Sequence, residues 1–183
     1  MKKLLLIVDP QVDFVSGSLP VTDAAAHLDK LADYVRAHHG DYVLSIVTTD
    51  WHPYNHCSFK AQGGPWPVHC VQNSIGAAIY QPLLDALCES GMPYKVLRKG
   101  NFADHEEYGI FKNQLSSQYI QNKVKLLGID RIDICGLAGD YCVHDTLLGG
   151  YELFGKKVNV LKQFSPSFDG GKRLEETLAH LGF

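Results

Sequence analysis

Short runs of apolar residues alternate along this chain with stretches in which apolar residues recur every three or four positions. The runs have the length of buried strands and cover 4–8, 42–48, 94–97, 132–135 and 158–161. The helical pattern covers 24–39, 83–88, 116–127, 143–154 and 172–181. Ser116 is the expected N-cap of the third of these helices, and Gly128 is its expected end. Strands alternating with helices predict a parallel sheet covered by helices on both faces.

Length and composition favour one globular domain over residues 1–183. The chain is 45% hydrophobic and 20% charged, with a formal net charge of -3. The first apolar run is too short for a signal peptide, and no run approaches the ~18 residues that span a bilayer. A weakly acidic chain without a Lys/Arg cluster argues against nucleic acid, so a small molecule is the expected partner.

The five cysteines point to a reducing compartment. An odd number cannot all pair, and no two of them form a CxxC motif. A disulfide framework is therefore not expected, and the cytoplasm is the expected location.

Four predicted strands deliver reactive side chains to one edge of the sheet. Asp9, Asp50 and Lys99 follow the first three strands, and the sequence GLAGDYC at 136–142 follows the fourth. Sites in parallel sheets form where the carboxyl ends of the strands meet. Two carboxylates, an ammonium and the thiol of Cys142 are therefore expected to lie together.

Cys142 is the candidate nucleophile of this group. Its expected place in the first turn of a helix favours a thiolate, although a single cysteine is more often core filler. Asp9 is the candidate proton acceptor, and Lys99 is expected to keep Asp9 and the thiolate charged. His144 is an unsuitable base because two residues along a helix turn its ring away from Cys142. The chemistry expected of this group is acyl transfer.

A second cluster lies in the long irregular segment 49–75. Asp50, His52, His56 and His69 suit one divalent metal ion, with Zn as first choice and Fe or Mn as alternatives. Cys57 and Cys70 adjoin these ligands and are competing candidates for a soft metal. Trp66 and Phe14 are candidates to wall a flat aromatic ligand, although core packing is the commoner role of such side chains.

Taken together, the motifs resemble those of the nicotinamidases within the isochorismatase-like cysteine hydrolases. The matching stretches are DPQVDF at 9–14, DWHPYNHCSF at 50–59, WPVHC at 66–70, Lys99-Gly100 and GLAGDYC at 136–142. The resemblance implies a three-layer α/β/α sandwich with a mostly parallel, Rossmann-like sheet. It matches Asp9, Lys99 and Cys142 to the catalytic triad and Asp50, His52, His56 and His69 to the metal ligands. It also implies a cis peptide before Ala138 and an oxyanion hole made by the N–H groups of Ala138 and Cys142.

The reaction implied by the resemblance is metal-dependent hydrolysis of nicotinamide to nicotinate and ammonia, a step of NAD salvage, through a cysteine thioester. In that family the ring nitrogen binds the metal and the ring lies in an aromatic pocket. The matching pocket positions here are Phe14, Leu19, Trp66, Tyr108, Leu137, Ala138 and Tyr141.

Three departures from the family pattern stand out. Gly139 replaces a threonine, the turn 15–21 is one residue short, and no strand follows the last helix before Phe183. The sheet is then either one strand short or completed by another chain in a homo-oligomer. Two other functions remain open: a related hydrolase acting on another small amide or an isochorismate-like compound, and a metal-binding or redox protein with Cys142 as its oxidation target.

Overall fold

The computed structural model describes residues 1–183 and is built on one parallel sheet of five strands. The strands are β1 (Lys3–Val8), β2 (Tyr42–Asp50), β3 (Tyr94–Lys99), β4 (Arg131–Gly136) and β5 (Val158–Val160). Their spatial order is β3-β2-β1-β4-β5, and every neighbouring pair is parallel. The predicted fold class is confirmed, and all five strands predicted from the apolar runs are present. The direction of winding changes between β1 and β4, which is where parallel sheets open a crevice.

Helices cover both faces of the sheet. They are α1 (Val12–Val15), α2 (Ala24–His38), α3 (Gln81–Glu89), α4 (Gln114–Leu127), α5 (His144–Phe154) and α6 (Lys172–Leu181). Apolar residues of α2 and α3 join one core cluster, and those of α4, α5 and α6 join the other. The result is a three-layer α/β/α sandwich.

The central strand β1 explains why the strands read as unbroken apolar runs. Leu5 and Ile7 belong to the core on the α2 side, whereas Leu4, Leu6 and Val8 belong to the core on the opposite side. All five side chains are fully buried. Because successive residues of a strand point to opposite faces, a sheet covered twice requires apolar residues at every position.

Some predicted boundaries are wrong. The N-cap of α4 is Asn113, whose Oδ1 accepts the N–H of Ser116 at 3.1 Å, so Ser116 lies inside the helix. Asp50 and Lys99 are the last residues of their strands and pair in register across β2 and β3. Cys142 precedes α5, in a π-helical turn that spans Gly139–Val143. The type of each element and its place along the chain were predictable because they follow the apolar period, whereas caps depend on single side-chain hydrogen bonds.

Two further observations bear on expectations from the sequence. All five cysteines are free thiols. No helix has both the length and the apolar character needed to cross a membrane.

Candidate active site

One buried ammonium ties together the groups at the carboxyl edge of the sheet. Lys99 Nζ lies 2.8 Å from Asp9 Oδ2 and 3.5 Å from Cys142 Sγ, and it also donates to Asp50 Oδ1. The side chains of Lys99 and Asp9 are fully buried, and that of Asp50 is 5% exposed. These four residues lie together, as the sequence predicts. Lys99 contacts both Asp9 and Cys142 of the candidate triad and Asp50 of the candidate metal cluster.

Asp9 is held in place by the strand beside it. Its backbone takes a φ of +44°, and its N–H donates to Thr48 O at 3.1 Å. The Thr48 hydroxyl donates to Asp9 Oδ1 at 2.7 Å. One carboxylate oxygen is thus engaged by Thr48, while the other faces Lys99 and the thiol.

Burial sets the protonation states of the triad. Desolvation raises the pKa of Asp9 to about 6, against the opposing charge of Lys99. Desolvation also raises the pKa of the Cys142 thiol well above its ordinary value, because Lys99 compensates only in part and Asp9 and Asp50 add to the effect. Burial therefore opposes the resting thiolate that the sequence leads us to expect. A buried thiol beside a carboxylate of raised pKa is a neutral nucleophile with its base in place.

We call residues 137–143, which carry Cys142, the nucleophile turn. This turn presents a free backbone donor. The peptide between Leu137 and Ala138 is cis, as the resemblance implies. The N–H of Ala138 donates to no protein acceptor, whereas Ala138 O accepts from Tyr141 N and Val143 N, each at 3.1 Å. Leu137 lies fully buried in the core and does not line the cavity beside Cys142. An unpaired N–H next to a nucleophile is what an oxyanion site requires.

Three of the four predicted metal ligands converge. Single donor atoms of Asp50, His52 and His69 lie within 4.8 Å of one another. His56 is not in this group, although its ring stacks on that of His52 with centroids 3.9 Å apart. Cys57 and Cys70 are also outside the group. The cluster is therefore an O/N site, the donor set that suits Zn, Fe or Mn.

The histidines of this cluster fit a metal ion. Nδ1 of His52 lies 3.1 Å from Gly100 O, and Nδ1 of His69 lies 2.8 Å from Pro67 O. Such contacts fix Nδ1 as the donor and leave the Nε2 lone pair for a metal. The Nε2 atoms of His52 and His56 are buried without a hydrogen-bond partner. Desolvation lowers the pKa of His69, which favours the neutral imidazole that ligation needs, whereas the neighbouring Asp50 carboxylate raises the pKa of His52 against the effect of burial.

The charge and the space around Asp50, His52 and His69 also suit a metal ion. Asp9 and Asp50 share one ammonium, so the buried group carries one excess negative charge when both are ionised. Burial alone would raise the pKa of Asp50, but the adjoining Lys99 ammonium holds it far below its usual range. A Cβ at Gly100, whose φ is +65°, would lie 2.5 Å from the His52 ring. Glycine there allows the ring to approach the strand end.

A small aromatic cavity opens beside the triad and the metal cluster. Six predicted pocket residues line it together with the nucleophile, two predicted metal ligands and two further residues: Phe14, Leu19, Trp66, Tyr108, Ala138, Tyr141, Cys142, Asp50, His69, Glu106 and Phe168. Trp66 Nε1 donates to the Tyr108 hydroxyl at 2.8 Å, and the rings of Trp66 and Tyr141 meet edge to face. Flat walls with few polar groups suit a small aromatic ring.

Sequence reasoning missed two of these lining residues. Phe168 comes from the segment after β5, and applying the strand-end rule to that strand as well would have pointed to this segment. Glu106 comes from the loop after β3, and burial raises the pKa of its carboxyl. Within these two segments, no local pattern distinguishes Phe168 or Glu106 from their neighbours.

Three polar residues with supporting roles were also missed. Gln11 is fully buried and binds both the N–H and the C=O of Asp50. Asp13 accepts the N–H of Cys70, next to His69, at 2.7 Å. Glu107 accepts the N–H of Gly100 at 2.7 Å. Each fixes the backbone beside a candidate site residue, a function that sequence spacing does not reveal.

His144 is directed away from Cys142, as its position predicts. Its two ring nitrogens lie 2.9 Å from Asp145 Oδ1 and 3.0 Å from Thr177 Oγ1. The base nearest to the thiol is therefore a carboxylate and not an imidazole.

Comparison with known proteins gives a consistent result. The model of the isochorismatase domain matches residues 3–169. The chain is 34% identical over 180 residues to nicotinamidase of Escherichia coli strain K12, which covers 87% of this chain and 80% of that protein. Among solved structures, the pyrazinamidase of Pyrococcus horikoshii in complex with zinc is 31% identical with a TM-score of 0.84, covering 100% of this chain and 97% of that one. PnC1 from L. infantum in complex with nicotinate is 30% identical with a TM-score of 0.82, covering 99% of this chain and 90% of that one.

Proposed function

This chain belongs to the isochorismatase domain family, and we propose that within it the chain is a nicotinamidase, which hydrolyses nicotinamide to nicotinate and ammonia. The observation that carries the proposal is the buried group of Asp9, Lys99 and Cys142, whose cysteine lines an aromatic cavity. A relative bound to nicotinate and another bound to zinc support the same substrate class and a metal-assisted site.

The cavity binds the substrate as a flat ring. Phe14, Trp66 and Tyr141 supply aromatic walls, and the sulfur of Cys142 lies at the same cavity. Stacking on such walls fixes the plane of the ring, so the carboxamide carbon is presented to the thiol in a limited range of angles. Orientation of this kind replaces a bimolecular encounter by a pre-arranged one.

Attack on the carboxamide forms a bond between Cys142 Sγ and the carbonyl carbon. As this bond forms, the thiol proton passes to Asp9, whose carboxylate lies within 4.8 Å of the sulfur. The carbonyl oxygen takes the negative charge and accepts the free N–H of Ala138, with the N–H of Cys142 as second donor. Lys99 remains protonated throughout, because Asp50 and Asp9 outweigh the effect of burial on its pKa.

Asp9 then returns the proton. The carboxamide nitrogen accepts it and leaves as ammonia, and the acyl group remains on sulfur as a thioester. A water molecule that gives its proton to Asp9 adds to the thioester carbon, and breakage of the S–C bond releases nicotinate and restores the thiol. One carboxylate therefore serves as base and as acid in both halves of the reaction.

We propose that Asp50, His52 and His69 hold one divalent ion, with His56 beside them as a further ligand. Zn is the metal that we favour, because three imidazoles and one carboxylate form a donor set that zinc accepts. When bound, such an ion supplies a Lewis-acid position for the ring nitrogen and serves mainly to orient the substrate.

The direct test is ammonia release from nicotinamide by the purified, metal-loaded chain. Replacing the nucleophile in Cys142→Ala is expected to lower turnover by at least about a thousandfold. Cys88→Ala is the matched control, because this exposed thiol lies beside Tyr94, outside the cavity. Full turnover by Cys142→Ala would refute the mechanism.

Two other outcomes would favour other functions. Hydrolysis of a different small amide, with no metal bound after purification without chelator, would indicate a related hydrolase of the same family. Inertness toward a panel of small amides, combined with reversible oxidation of Cys142, would indicate a redox protein.

A further inference from the structure

A segment that lies outside the sequence motifs packs against the nucleophile turn. We name residues 165–169, which follow β5, the strap. Its Pro166 O accepts the N–H of Gly139, the first residue of the π-helical turn, at 2.8 Å. The strap therefore packs on the same turn that carries Cys142.

Asp140 ties the strap down. Its carboxylate is buried, with 4% of the residue exposed, and forms no ion pair within 4.0 Å. Oδ1 accepts the N–H of Phe168 and Oδ2 accepts the N–H of Asp169, each at 3.2 Å. A buried carboxylate satisfied by two backbone donors is a strong positional anchor, because releasing it would leave a charge without partners.

The junction between strap and turn has no spare space. A Cβ added at Gly139 would lie 2.2 Å from Ser167 Oγ and 2.6 Å from Ser165 O. The strap and the turn therefore occupy the volume that any larger residue at position 139 would need.

Anchoring the strap places Phe168 at the mouth of the cavity. The Phe168 ring is near-parallel to that of Trp66, with centroids 6.0 Å apart and planes at 27°, and it meets Tyr141 edge to face at 6.2 Å. It lines the cavity that contains Cys142 and is 39% exposed. A ring that is half in solvent and half in the cavity forms its outer wall.

We propose that Phe168 is a specificity-determining residue of this enzyme and that Asp140 is the positioning residue that holds the Phe168 ring in place. The ring limits the cavity to an unsubstituted six-membered heteroaromatic carboxamide and excludes rings that carry a methyl group or a fused ring at the outer side. The inference rests on the proposed nicotinamidase activity.

The test compares nicotinamide with three larger carboxamides: 5-methylnicotinamide, 6-methylnicotinamide and quinoline-3-carboxamide. Phe168→Ala is expected to raise kcat/KM for at least one larger substrate relative to nicotinamide by about tenfold or more, the range that one pocket contact can discriminate. For nicotinamide itself, KM is expected to rise while kcat changes little, because a wall contributes binding and not chemistry. Phe168→Tyr retains the ring and is expected to retain the wild-type ratios.

Phe183→Ala is the matched control, since this phenylalanine has a similar exposure of 44% and packs on Tyr151 outside the cavity. Asp140→Asn keeps one acceptor oxygen, and it is expected to shift the same ratios in the same direction as Phe168→Ala but by less. A purely structural role for Asp140 would lower activity toward all four substrates equally.

Ratios within twofold of wild type for all three larger substrates in Phe168→Ala would overturn the proposal. Failure of the proposed function is a separate result: a wild-type chain that releases ammonia from none of the substrates. In that case calorimetric binding of nicotinate still decides the role of Phe168, because weaker binding by Phe168→Ala than by Phe183→Ala is expected, and equal binding would refute it.

Discussion

Gln11 offers a sharp test of how the fold holds the candidate metal cluster. Its amide donates to Asp50 O at 2.8 Å and to Ala77 O at 3.0 Å, and its Oε1 accepts the Asp50 N–H at 2.7 Å. The residue is fully buried. Gln11→Met keeps the length and most of the volume of the side chain but removes all three hydrogen bonds.

The cost follows from the three backbone groups that lose their partner. An unsatisfied buried N–H or C=O costs about 1–3 kcal/mol, so three of them give about 3–9 kcal/mol before relaxation. Local adjustment and the entry of water reduce this to about 3–6 kcal/mol, a large part of the 5–15 kcal/mol that holds a typical domain together. Because Asp50 is the residue released, metal affinity is expected to fall as well, by about tenfold or more.

Urea unfolding measures the first effect, and titration with zinc measures the second. Gln72→Met is the matched control, because Gln72 donates a single hydrogen bond, to Trp51 O at 3.0 Å, and is only partly buried. Its loss is expected to cost about 1 kcal/mol. A cost for Gln11→Met no larger than that of Gln72→Met would refute the reasoning.

Three further predictions concern the triad, the nucleophile turn and the metal cluster. Lys99→Met leaves two buried carboxylates without their ammonium and is expected to lower the free energy of unfolding by about 3–5 kcal/mol. It is also expected to abolish ammonia release. A loss below about 1 kcal/mol in chemical unfolding would contradict this prediction. Gly139→Ala forces the strap to move and is expected to cost about 1–3 kcal/mol in the same assay, and Gly40→Ala, where a Cβ meets no atom within 4 Å, is the control that should cost much less. Zinc at about one hundred times its Kd is expected to stabilise the chain by about 2.7 kcal/mol in thermal unfolding. Replacing the buried His52 in His52→Ala should abolish this effect, whereas His38→Ala, at an exposed position, should preserve it.

The charge arrangement explains why the metal cluster and the triad are expected to fail together. Lys99 contacts Asp9, Asp50 and Cys142 at once, so loss of either carboxylate changes the field at the sulfur. Variants of Asp50 are therefore expected to affect the nucleophile as well as the metal, and double-mutant cycles between Asp50 and Asp9 should be non-additive.

The architecture, and the edge of the sheet at which the candidate site lies, could be predicted from the amino-acid pattern. Unbroken apolar strands require a sheet covered on both faces, and parallel connections bring the carboxyl ends of all strands to one edge. Asp9, Asp50, Lys99 and Cys142 could be placed together on that basis, because each follows or ends a strand.

The protonation of these groups and the contacts that support them depend on the folded molecule. The thiol of Cys142 is raised in pKa because burial outweighs the ammonium beside it, and burial is a property of the whole packed molecule. Gln11, Asp140 and Phe168 act through hydrogen bonds and stacking between segments 28 to 102 residues apart, and no local pattern encodes such distances. Apolar periodicity reports local geometry, whereas side-chain contacts across the sheet edge form only when the chain has folded.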